Sequence, residues 1–63
     1  MCLATIYRDT DNSVVMENTA RISIGENRVE LQDLFGTKKS LEGCIKTIDL
    51  ENNTVILHCA ENK

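Results

Sequence analysis

The chain has 63 residues, ten acidic against seven basic side chains and a net charge of −3, so residues 1–63 read as one domain in which only about 60% of the unfolded surface can be buried. The acidic balance works against the phosphate neutralisation that dominates nucleic-acid affinity, and Tyr7 and Phe35, the two aromatics, are too few for a base-stacking platform. No apolar run is long enough to cross a bilayer, and the odd set Cys2, Cys44 and Cys59, with no secretory segment ahead of it, reads as reduced thiols of a cytoplasmic protein.

A core this small rarely supplies more than ~3–5 kcal/mol without a disulfide, a metal or a partner subunit. With disulfides set aside, a metal, a dimer or both are expected to help. Met1-Cys2 is where a metal would bind. A thiol beside an amine or backbone amide can close small chelate rings on an ion that accepts thiolate and nitrogen together, which points to Ni(II) or Cu(II) rather than Mg or Ca. The competing reading is that Cys2 is a small apolar residue opening a strand, since free cysteine is often buried.

The rest of the chain reads as strands. Leu3 to Arg8 alternates, with Ala4 and Ile6 on one side. Asp9-Thr10-Asp11-Asn12-Ser13 is a cluster suited to an Asx-type turn, hence a hairpin. Val14-Val15-Met16 suits a brief second strand. Its continuation after Glu17-Asn18 is Ala20 to Ile24, where Ala20, Ile22 and Ile24 share a face. Gly25-Glu26-Asn27 signals a turn, and Arg28 to Gln32 alternates again. At Asp33-Leu34-Phe35-Gly36 the alternation fails; Gly36 can supply a positive φ, and the chain is expected to leave the first sheet there.

Thr37 to Leu41 is polar, with Leu41 tucked inward and Lys38-Lys39 on a solvated face or turn. Cys44 to Leu50 carries Cys44, Ile48 and Leu50 on one parity and Ile45 on the other, the pattern of a bulge or of burial on both faces. Glu51-Asn52-Asn53 makes the last turn. Thr54 to Cys59 is a β-branched strand expected to be buried on both faces. No stretch has a capped helical period, so the class is all-β, a sheet or small barrel of about six or seven short strands. Proline, which guards edge strands, is absent, and pairing edges across a symmetric dimer would protect them instead.

Met1-Cys2-x-Ala4, Val15-Met16-Glu17, Val29-x-Leu31-x-Asp33-Leu34-Phe35-Gly36, Leu41-x-Gly43-x-Ile45-x-x-Ile48-Asp49-Leu50 and Ile56-Leu57 together resemble the CooT family, small Met-Cys-starting proteins, some associated with nickel delivery to carbon monoxide dehydrogenase. The resemblance implies an SH3-like or Sm-like barrel and a homodimer. It also implies a single Ni(II) held by Cys2 of each subunit, and a nickel-enzyme maturation partner. Cys44 and Cys59 match no family ligand and read as core thiols; His58 reads as a surface or satisfied core residue. A small-barrel RNA-binding module and a non-metal structural adaptor are the alternatives. An enzyme is disfavoured, because an N-terminal Cys nucleophile would have a single histidine and little room for a substrate.

Overall fold

In the computed structural model, residues 3–59 are described. They form β1 (Ala4–Arg8), β2 (Val14–Gly25), β3 (Arg28–Asp33), β4 (Lys38–Asp49) and β5 (Thr54–Cys59). Each strand pairs antiparallel with the next, and β5 returns beside β1 in parallel, which closes the ring into a barrel.

Five strands replace the expected six or seven, because the chain from Lys38 to Asp49 is one continuous strand. Val14–Met16 and its expected continuation Ala20–Ile24 belong to one twelve-residue β2. Asn18 takes a positive φ of 55° within it, and the register shifts between Thr19 and Arg21. Asparagine tolerates this conformation better than most residues, so β2 bends there without breaking. Its first half pairs with β1 and its second with β3. The polar run after Gly36 is likewise the start of a twelve-residue β4 rather than a turn. Gly43, at φ 143°, lets β4 pass from β3 to β5.

The turns follow their residues. Asp11 Oδ1 accepts from Ser13 N–H at 3.1 Å and Ser13 Oγ at 2.7 Å, the expected Asx turn between β1 and β2. Glu26-Asn27 closes the β2–β3 hairpin, with Asn27 at φ 56°. At Asp33–Gly36 the chain does not leave the sheet. Asp33 Oδ1 accepts from Phe35 N–H and Thr37 N–H, both at 2.9 Å, and Gly36 takes φ 92°, so the segment folds back as a hairpin into β4. Asp49 Oδ1 similarly accepts from Glu51 N–H and Asn52 N–H ahead of β5.

Ile6, Val15, Met16, Val29, Leu31, Val55 and Leu57 make the core, with Ala4, Ile22, Leu41 and Ile45 packed against it. Period-2 alternation puts Val29 with Leu31 and Val55 with Leu57 on the inner face. The outer face of β5 is covered less than expected: Ile56 is half-buried and His58 exposed. In β4 a bulge at Lys46 shifts the register between Ile45 and Thr47, so that Ile45 opposes Leu57 and Ile48 opposes Val55. Both isoleucines thereby share the parity of Leu57 and Val55, as the bulge reading anticipated, but only Ile45 packs against the core and Ile48 stays exposed. Ala20 and Ile24 are exposed instead, where β2 pairs with β3 alone.

Because Leu57 is fully buried in a chain with so small a core, Leu57→Ala should cost ~2–5 kcal/mol, whereas Phe35→Ala, at a side chain 80% exposed, should stay within about 0.5 kcal/mol. Urea unfolding of both variants checks this; similar midpoints would mean the core is misassigned.

Candidate functional site

Cys2, the expected metal ligand, lies outside the described residues. What the structure fixes is the anchor that follows it. Thr5 N–H donates to Asn53 O at 2.9 Å, Ala4 opposes Thr19 on β2, and Thr5 opposes Thr54 on β5. Leu34 N–H donates to Asn18 O at 2.9 Å, tying the β3–β4 turn to the β2 bend beside Thr19. The start of β1 is therefore held on both flanks before Ile6 enters the core.

A second group of polar side chains sits on the outer face of β4 and β5. Cys44 lies directly opposite His58 in the register, and both side chains are exposed. The core-thiol expectation for Cys44 is thus overturned. Its neighbour Ile45 takes the inward position, and strand alternation turns Cys44 out. The side chain of Cys59 is outside the described residues.

His58 Nδ1 lies 2.8 Å from Asp9 Oδ2, and Lys46 Nζ lies 3.6 Å from the same oxygen. Asp9 is the least exposed of the three, its side chain 14% accessible against 55% for His58, and Asp9 Oδ1 is buried with no hydrogen-bond partner. The hydrogen bond with His58 holds the Asp9 carboxyl below its ordinary value. Partial desolvation opposes this, while the charges of His58 and Lys46 reinforce it. An ionised carboxylate only accepts, so Nδ1 carries the shared proton and Nε2 is the ring nitrogen not engaged by Asp9. Cys44 and His58 also line a cleft of about 670 Å³ together with Glu26, Asn27, Arg28 and Glu42.

Two other features bear on function. Lys39, one half of the only adjacent basic pair, donates from Nζ to Val15 O at 3.0 Å. It thereby caps a backbone carbonyl on β2, and Lys38-Lys39 opens β4 on a solvated face, the first of the two expected settings. Among the described residues, no group of three or more His, Cys, Asp or Glu side chains is arranged to hold a metal ion. No helix among them is long and apolar enough to cross a membrane.

The register and closure define a small five-stranded β-barrel protein whose only chemistry-bearing cluster, among the described residues, is polar and exposed. Its family is given by a family model described as CO dehydrogenase accessory protein CooT, which matches residues 1–58: the chain belongs to the CooT family. The barrel is also found in a crystal structure assigned as CooT from Carboxydothermus hydrogenoformans, with a TM-score of 0.83 and 19% identity, covering 95% of this chain and 100% of that one. No curated protein matches. The resemblance read from the sequence fragments is thereby borne out, and the family role is that of an accessory to an enzyme rather than of a catalyst.

Three aspartates are held below their ordinary value: Asp9 by His58, Asp11 by Ser13, and Asp49 by Asn52. A carboxyl depressed in the folded state stabilises the fold above its unfolded pKa, about 3.9 for aspartate, and that contribution is lost as pH falls through the folded value. Stability should therefore decline below about pH 4, and Asp9→Asn should flatten part of that decline. Thermal unfolding at a series of pH values checks this, and an unchanged slope in Asp9→Asn would remove the His58 pairing as a contributor.

Proposed function

We propose that this protein is a cytoplasmic nickel-binding accessory factor for maturation of a nickel enzyme, acting as a homodimer of one-domain chains that binds one Ni(II) through the Cys2 thiolate of each subunit. The observation that carries the reading is membership of the CO dehydrogenase accessory family over a stretch that includes Cys2. Donor chemistry supports it, because thiolate beside amine or amide nitrogen suits Ni(II).

The homodimer has its own support. Phe35 and Leu50 are each 80% exposed and Ile24 is 65% exposed, a large apolar display for so short a chain. Residues 44–49 of β4 pair with β5 alone among the described strands, leaving an edge that a second copy can cover. A site shared by two chain starts couples metal binding to dimer integrity, because each subunit supplies only part of the coordination sphere. Such a site on chain ends also lets an acceptor protein take the ion by ligand exchange.

Nickel binding requires the Cys2 thiol, ordinarily near pKa ~8.5, and a terminal amine, near ~7.7–8.0, to release protons. Ni(II) titration of the metal-free protein, followed by absorption and native mass spectrometry, should therefore show a thiolate-to-nickel band saturating at one metal per dimer. Its affinity should rise with pH through neutrality. Cys2→Ser should abolish this tight phase and Cys44→Ser should retain it; a Cys2→Ser protein that binds nickel as tightly as the parent would refute the site.

A further inference from the structure

We propose that Cys44 Sγ and His58 Nε2 form a separate site for a borderline-soft divalent cation of the Zn(II) or Ni(II) class on the outer face of β4 and β5, with Asp9 as its positioning residue. The two donors are exposed and directly opposed in an antiparallel pair. Such residues have Cβ atoms about 4.5–5.5 Å apart, close enough for a thiolate and an imidazole to reach one ion at ~2.3 Å and ~2.0–2.1 Å.

Three observations separate this pair from an incidental surface contact. First, the imidazole is fixed. Asp9 Oδ2 accepts a hydrogen bond from Nδ1–H at 2.8 Å, which leaves Nε2 as the metal donor, the carboxylate–histidine arrangement that orients ligating imidazoles in metal sites. Asp9 is held in turn by Asp9 N–H donating to Leu57 O at 2.9 Å, one residue before His58.

Second, Asp9 is paired only in part. Its Oδ1 is buried without a hydrogen-bond partner, and Lys46 at 3.6 Å is a long, exposed contact. An ion on Nε2 would make the imidazole a cationic partner for that carboxylate. Third, both donors line an open cleft together with Glu26, Arg28 and Glu42, so an ion has an approach from solvent. Water or a second copy of the chain completes the coordination sphere, since each chain offers two donors.

The test uses the full chain carrying Cys2→Ser, so that its outcome is independent of the nickel reading above. Zn(II) alone is titrated by calorimetry and by proton NMR of the imidazole. The chain has a single histidine, so the ring signal belongs to His58. Zn(II) should shift that signal and protect Cys44 from a thiol reagent. Cys44→Ser and His58→Gln should each weaken binding at least about tenfold, and Asp9→Asn should weaken it about 10–100-fold, the usual effect of losing such a partner. Cys59→Ser should leave it unchanged. The site is ruled out if the imidazole signal does not move with Zn(II), or if Cys44→Ser in this background binds Zn(II) as tightly as its parent.

Discussion

The structure depends on one pairing, the parallel contact of Thr5–Arg8 with Thr54–Leu57 that joins the first strand to the last. Without it the four antiparallel pairs are an open meander with two bare edges and an inner face open to water. With it, Ile6, Val55 and Leu57 come together at the seam, and all three are almost completely buried. Parallel pairs are slightly weaker per residue than antiparallel ones. The seam therefore relies on this burial, which at about 25 cal/mol per Å² of apolar surface is the main favourable term available to so small a chain.

The two long strands are the second constraint. A ring of five strands that encloses a core needs strands that turn from one neighbour to another, and β2 and β4 do so by different means. In β2, Asn18 supplies a left-handed residue beside the buried Thr19. In β4, Gly43 and the bulge at Lys46 divide the change of partner from the change of face. The bulge lies after the segment in which Ile45 packs against the core and the outward Cys44 opposes His58, and beyond it the exposed Ile48 opposes Val55.

Much of the fold was legible in the sequence because turn chemistry is local. Asp11-Asn12-Ser13, Glu26-Asn27, Gly36 and Asn52-Asn53 each carry the side-chain acceptor or the tolerance of positive φ that their turns use. The strand count was not fully legible, because Glu42-Gly43 looks like a break in a linear reading and acts as a bend only when a neighbouring strand keeps the ladder going, whereas the continuation of β2 past Asn18 could be read from its residues. Cys44 was misread for a related reason. Counted by simple parity it joins Ile48 and Leu50, and only the bulge at Lys46, which is defined by the partner strand, moves Ile48 to the other face. The Asp9–His58 contact joins residues 49 apart in sequence, and no spacing rule marks such a pair.

The seam also organises the chemistry, because each end of the β1–β5 pair leads to one candidate metal position. At its start, Thr5 N–H to Asn53 O fixes the chain just after Cys2; at its finish, Asp9 N–H to Leu57 O fixes the carboxylate that holds His58. The start of β1 and the carboxylate that holds His58 are thus tied to β5 through the same hydrogen-bonded ladder. Any event that loosens the pairing acts on both, since it frees the residues after Cys2 and releases Asp9 from beside His58. Asp9 reaches His58 only when β1 and β5 lie side by side, so the orientation of the imidazole depends on ring closure. In a protein whose core is too small to supply ample stability by itself, one strand pair therefore both closes the ring and positions its single histidine.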